Sequence, residues 1–276
     1  MNEFLPSQFV ERVDRLMLGI EPLDALRAGR IAQPIDVVLD GVPYPPSAPS
    51  GPQQAWDQVM GFPDSIGALT EIQRHNSCRH ALLFKPGMSS PIVIRLFDRK
   101  RRFTPRRISY FVPSDIHTPA PRVRRPALYP GAAYDVSDTF TGMRGRVTWN
   151  QSTANEVPAR WVRVEATIDG QVVGRAHGDD RGEFLLLLDS TAGGLGDLPS
   201  PLTVQVTVFG PPAPVAVPAN DPLGDLPVET LLADPDDISP GEKLPTGYAS
   251  TAQSTRAVTF QLGSLLTNQA KFFFNP

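Results

Sequence analysis

A mainly β chain is what this sequence predicts: two β-sandwich-like modules, a short N-terminal helix and long proline-rich arms. Three observations carry that expectation. Thirty of the 276 residues are proline, roughly twice the usual share of about 5%. Proline breaks helices and interior strands, so turns, edge strands and extended connectors must make up much of the chain. Dense runs of β-branched and aromatic residues punctuate the proline, which argues against disorder throughout. Those runs alternate with period two and are bounded by Gly, Pro, Asn and Asp.

Taken in order, residues 1–30 form an N-terminal segment. Within it SQFVERVDRLML (7–18) predicts a helix capped by Ser7, with Phe9, Val10, Val13, Leu16 and Met17 on one face. Gly19 weakens its end, and a second short turn is expected between Pro22 and Arg30. The first β module covers 31–112. Its strands are IDVVLDG (35–41), ALLFK (81–85), PIVIRLF (91–97) and RRISYFV (106–112). In PIVIRLF, Ile92, Ile94 and Leu96 share one face and Val93, Arg95 and Phe97 the other, so the strand is expected at the centre of a sheet with Arg95 near an edge. VPYPPSAPSGPQ (42–53) is an extended loop, and AWDQVMGF a helical turn or two.

Residues 113–140 form a Pro/Arg-rich linker. The second module spans 141–210, with strands GRVTW, RWVRVEATID, QVVGRAHG, EFLLLLD and LTVQVTVF. Asp169-Gly170 predicts a tight hairpin turn, and GDDRGE a second hairpin between QVVGRAHG and EFLLLLD, with Gly182 at positive φ. Residues 211–276 are a Pro-rich, then acidic, arm ending in the strand RAVTFQLGSLL (256–266), a candidate to complete the first module. The terminal KFFFNP places Phe272, Phe273 and Phe274 in a row, a hazard unless buried on this subunit or across an interface.

Residues 142–189 resemble the carboxypeptidase regulatory-like domain, a transthyretin-like β-sandwich. The likeness rests on Gly145-Arg146-Val147, on the alternating strand Trp161-Val162-Arg163-Val164-Glu165-Ala166, and on the turn Asp179-Asp180-Arg181-Gly182-Glu183-Phe184. The loop from Asn150 to Pro158 is longer than the family usually has. The resemblance implies a small spacer or binding module without catalytic residues.

Net charge is −3, but its placement is uneven. Ten bases against two acids make residues 95–125 +8, while twelve acids against Arg181 make residues 178–242 −11. Such asymmetry bears on partners rather than fold. The densest basic run is FDRKRRFTPRR (97–107), which carries Arg99, Lys100, Arg101, Arg102, Arg106 and Arg107. In an acidic chain with no basic helix, nucleic acid is an unlikely partner. The run reads as a hairpin tip, either solvated or meeting an acidic protein surface, with the 178–242 segment of another copy the first place to look.

Phosphate loops, nucleophile elbows and zinc-protease helices are absent from the sequence. His75, Cys78 and His80 are weak metal candidates, since an extended segment points His75 away from the other two. His177 beside Asp179 and Asp180 reads as turn chemistry rather than acid–base catalysis. One cysteine implies no disulfide framework. The start has no signal-peptide pattern and no apolar window reaches membrane length, so synthesis in the cytoplasm is expected, with later release in a virion-like particle compatible. The expected function is non-enzymatic: an assembly subunit binding other protein subunits, as in phage-tail-like or contractile injection particles, without a cofactor. The alternatives are an envelope or carbohydrate-binding module, which would need an exposed aromatic platform from Trp149 or Trp161, and a hydrolase with an unfamiliar site.

Overall fold

The computed structural model describes residues 16–40, 72–75, 77, 79–83, 90–112, 122–137, 139–149, 157–188, 201–219, 221–230 and 244–275. Among these the chain is mainly β, with nineteen strands in several small sheets and no helix. The expected loop 42–53, the turn at AWDQVMGF and Cys78 lie outside the described residues, as do residues 7–15 of the expected helix.

Where that helix enters view, it is a strand. β1 (Leu16–Ile20) lies between β6 (His80–Leu83) and β9 (Val123–Arg124), with β5 (Ile72–Arg74) beyond β6. Met17, Leu18 and Ile20 are all buried. A run apolar on every side fits a strand covered on both faces, and tertiary pairing decides against the local helical pattern. The turn expected after Pro22 is a small hairpin. β2 (Leu23–Asp24) pairs with β3 (Gly29–Arg30), while the Asp24 carboxylate accepts the backbone N–H groups of Leu26 and Arg27. β10 (Ala127–Leu128) adds to β2 in parallel.

A third sheet runs β17 (Val228–Thr230), β8 (Arg106–Tyr110), β7 (Ile92–Phe97), β4 (Asp36–Leu39). β7 is central, as its two apolar faces predict. Arg95 is nevertheless buried in the middle of it rather than near an edge, because two carboxylates neutralise it there.

Two further sheets enclose one core. The first orders β14 (Gln171–His177), β13 (Arg163–Ile168), β16 (Leu202–Phe209) and β18 (Thr255–Phe260). The second is built on β11 (Gly142–Trp149). It pairs antiparallel with β15 (Glu183–Leu187) and β12 (Val157–Pro158), and parallel with β19 (Leu265–Phe274). The single C-terminal strand expected over 256–266 is thus two strands. They join β16 and β11 rather than the first module, because Phe260, Phe272 and Phe274 fill this core. The Asp169-Gly170 hairpin forms as predicted, at φ 50° and 78°, but the turn at 178–183 is not the expected hairpin: β14 pairs with β13 and β15 with β11, so it carries the chain from one sheet to the other. At Gly182 (φ 70°) a Cβ would sit 2.3 Å from the Val147 carbonyl, so only glycine fits.

One strand ties the two halves together. Along β15, Phe184 and Leu186 face the core between β11 and β16, while Leu185 and Leu187 face the core of the N-terminal sheets. Its unbroken apolar run is therefore a wall shared by two interiors. Among the described residues, no helix is long and apolar enough to cross a membrane.

Candidate functional site

The basic run folds back on its own chain. Asp98, buried at the end of β7, accepts the backbone N–H groups of Lys100 and Arg102 at 3.0 Å each. It also takes a two-pronged ion pair from the Arg102 guanidinium, at 2.8 and 3.0 Å. Arg99 reaches Asp36 at 2.6 Å. Arg101 forks onto Asp180 at 3.0 and 3.3 Å. Lys100 points into solvent. The linker clasps this tip: Thr104 donates its backbone N–H to the Tyr129 carbonyl, Gly131 donates to Arg102, and Ala133 donates to Arg101. The tip is thus covered, and its acidic partners come from the same chain. Asp180, in the expected 178–242 segment, is the first of them.

Residues 221–230 supply Glu229 to Arg106 and Asp221 to Arg95, while Asp36, Asp40 and Asp98 serve Arg99, Arg107 and Arg102. This short acidic strap crosses from the second pair of sheets to β8, where β17 adds in parallel. Arg95 binds Asp221 at 2.6 Å and Asp40 at 2.6 Å. Arg160 forks onto Asp225 at 2.5 and 2.8 Å. Arg107 donates to the carbonyls of Gly224 and Leu226 at 3.2 and 3.3 Å, and to Asp40 at 2.5 Å. Leu223 and Leu226 bury against Val38, Phe97 and Trp161, so strap and both halves meet in one small apolar cluster.

Beneath that cluster lies the most enclosed ionic group among the described residues. Arg106 is 0% exposed and binds both oxygens of Glu229, at 3.1 and 2.5 Å. Its remaining Nη1 donates to the Ala127 carbonyl at 2.6 Å. Arg163, on β13, binds the same Glu229 at 3.1 Å and the Trp161 carbonyl at 2.8 Å. Tyr248 donates to that carbonyl too, at 3.1 Å. Trp161 holds φ 59°, a strained angle for a bulky residue, with its backbone N–H and carbonyl both engaged. Burial pushes the Glu229 carboxyl up, but Arg106 and Arg163 outweigh it and hold its pKa below the ordinary value. Burial pushes Tyr248 up to about 12.

His177 sits beside this group, its ring stacked on Tyr129 at 3.9 Å. Both ring nitrogens are buried without a hydrogen-bond partner. Burial, then Arg163 and Arg106, hold its pKa well below the usual histidine value, so it is neutral. Asp179 accepts the backbone N–H groups of Arg181 and Glu183, and burial with neighbouring Asp180 pushes it up to about 6. That carboxylate organises the tight turn between β14 and β15, the backbone role the sequence assigns to it.

His80 is buried and its Nε2 contacts the Ile35 carbonyl at 3.0 Å; burial first, then Arg74, lowers its pKa to about 4 against the effect of that bond. His75 is exposed and contacts Ser77 at 2.8 Å, and Cys78 is outside the described residues. Among the described residues no three His, Cys, Asp or Glu side chains group as a metal site. Phe272 and Phe274 are buried in this chain's own core, with Phe273 half-buried on the opposite face. Trp149 and Trp161 are 6% and 2% exposed, so neither forms an open aromatic platform. Sequence reasoning named Arg106 without its partner and missed Glu229 and Arg163. Only the opposite charge of the two segments hinted at them.

No protein-family profile matches this chain, and no curated protein matches it. Two solved structures align weakly. A 9R-lipoxygenase from Cyanothece PCC8801 is 12% identical over 49% of this chain and 16% of its own, at a TM-score of 0.24. GBS52, the minor pilin of Streptococcus agalactiae, is 8% identical over 94% of this chain and 96% of its own, also at 0.24. Neither value defines a shared fold.

Proposed function

We propose that this protein is a non-enzymatic structural subunit of a larger assembly, built from two β-sandwich-like modules of which the second is of the carboxypeptidase regulatory-like kind. A phage-tail-like or contractile injection particle is the assembly class we favour, by analogy of fold. The observation supporting this reading is how the chain holds itself together. Extended segments add short parallel strands to distant sheets: β9 to β1, β10 to β2, β17 to β8, and the long β19 to β11. Strand addition by an extended arm is also a standard way for one subunit to grip the next. The stretches leading to β9, β10 and β17 are proline-rich, which keeps them extended and lowers the entropy lost on docking.

The test is light scattering on the purified chain from low to high salt, with sedimentation of particles from its source. Salt-sensitive self-association, or the chain sedimenting with particles, is expected. A chain that is monomeric at every ionic strength and absent from sedimenting particles overturns the reading.

A further inference from the structure

The strap 221–230 belongs to a loop that leaves and returns at one point. Gly210 and Ala249 exchange backbone hydrogen bonds of 3.1 Å in both directions, closing the base. Among the described residues between them, 211–219 run out from this point and β17 pairs with β8 of the third sheet. Withdrawing the strap therefore leaves the pairing of β16 with β18 intact. The incoming stretch Pro211–Ala219 is largely exposed and carries four prolines, a stiff connector laid over the surface rather than packed into it.

The groove that receives the strap is specific. Arg95, Arg107 and Arg160 bind its acids and carbonyls at the mouth, while Arg106 and Arg163 bind Glu229 at the floor. The apolar cluster of Val38, Phe97 and Trp161 takes Leu223 and Leu226 between the charged contacts. Five arginines against Asp221, Asp225 and Glu229 make a basic groove matched to an acidic extended segment with two leucines. β8 supplies the edge on which the segment adds as a strand.

We infer that this groove is an intersubunit docking site, filled in trans by the 221–230 strap of a second copy. The inference rests on the assembly reading above and names its contact. The strap makes the same contacts in cis and in trans, so concentration decides between them. In dilute solution the tether holds the strap at an effective concentration near millimolar and the chain stays closed. Packed copies in an assembly compete with that tether, and straps exchange between neighbours.

The test uses the full chain and a fluorescein-labelled peptide of residues 218–231. In the chain carrying Leu223→Asp with Leu226→Asp, the strap loses its apolar anchors and the groove opens. Saturable peptide binding to this variant is expected by fluorescence anisotropy, with much weaker binding to the wild-type chain. A peptide carrying Glu229→Lys should bind at least about 30-fold more weakly. No binding to a variant that still unfolds cooperatively, or equal binding of both peptides, overturns the proposal. If the variant does not fold, hydrogen exchange on the wild-type chain decides. Excess peptide should speed exchange of the chain's own 221–230 amides, and unchanged exchange overturns the proposal. A chain that self-associates but ignores the peptide overturns this proposal alone. A chain that takes the peptide yet stays monomeric at every concentration and salt overturns the assembly reading, and with it the second copy as occupant.

Discussion

Arg106 and Glu229, 123 positions apart in sequence, form a two-pronged ion pair closed off from water, with Arg163 on one of the same carboxylate oxygens. A buried pair gains little net stability over apolar residues of the same size, yet breaking it is severe, because the stranded charge stays buried. Glu229→Gln leaves two guanidinium groups facing a neutral amide. It should destabilise the chain by about 3–5 kcal/mol in urea unfolding. Replacing the whole group, with Arg106→Met, Arg163→Met and Glu229→Leu together, should cost far less than the single change. Equal losses for single and triple variants would show that Glu229 matters for packing rather than charge.

Acid should weaken the fold, with a slope near one proton. His177 and His80 are held neutral in the folded chain, His80 down to about 4, whereas both take a proton near 6.5 once unfolded. Each contributes stability that is lost as pH falls below about 6.5. Asp179 works the other way. Its folded pKa of about 6 lies above its unfolded value of 3.8, so the fold gains from protonating it as pH falls through that window. Two protons taken up on unfolding against one released leave about one, or roughly 1.4 kcal/mol lost between pH 6 and 5. His177→Gln should flatten the slope and Asp179→Asn should steepen it, as read by thermal unfolding at each pH.

Neighbouring residues in the basic run should respond very differently to charge reversal. Arg101 is mostly buried and forks onto Asp180, whereas Lys100 is exposed. Arg101→Glu places two carboxylates together in a half-buried joint and should destabilise by about 1–3 kcal/mol. Lys100→Glu should stay within about 0.5 kcal/mol. Adding Asp180→Arg to Arg101→Glu should restore part of the loss, which a double-mutant cycle measures directly.

Much of the strand content was legible because period-two runs such as PIVIRLF and LTVQVTVF carry their own evidence. The turn at Asp169-Gly170 was legible because its backbone angles select those residues. LMLGI was not, since a short run apolar on all sides fits either a buried helix or a buried strand, and β6 and β9 make the choice. The joint was half legible. Opposite charge in 95–125 and 178–242 told of attraction, but no local pattern assigns Glu229 to Arg106 across 123 residues, or tells cis from trans. Arg95 was misplaced for the same reason, because the carboxylates of Asp40 and Asp221 that let it sit at the centre of a sheet are remote in sequence.

The terminal phenylalanines test the register of the longest parallel pairing. Phe272 and Phe274 point into the core, with Phe274 edge-on to Trp149 at 5.3 Å and Phe272 against Phe184 at 5.9 Å. Phe273 lies on the other face beneath Lys271. After a register shift past Met143 and Leu266, the pairing of β11 with β19 runs unbroken from Gly145 opposite Ala270 to Trp149 opposite Phe274, and its period of two sorts the three rings. Phe274→Ala should empty a buried ring site and destabilise by about 3–5 kcal/mol. Phe273→Ala, half-exposed, should cost only about 1 kcal/mol. A one-residue slip of that run would turn Phe272, Phe273 and Phe274 to the opposite faces and invert that order. Urea unfolding of the two variants therefore reads the register directly: a larger loss for Phe273→Ala than for Phe274→Ala would mean β19 is paired one residue out.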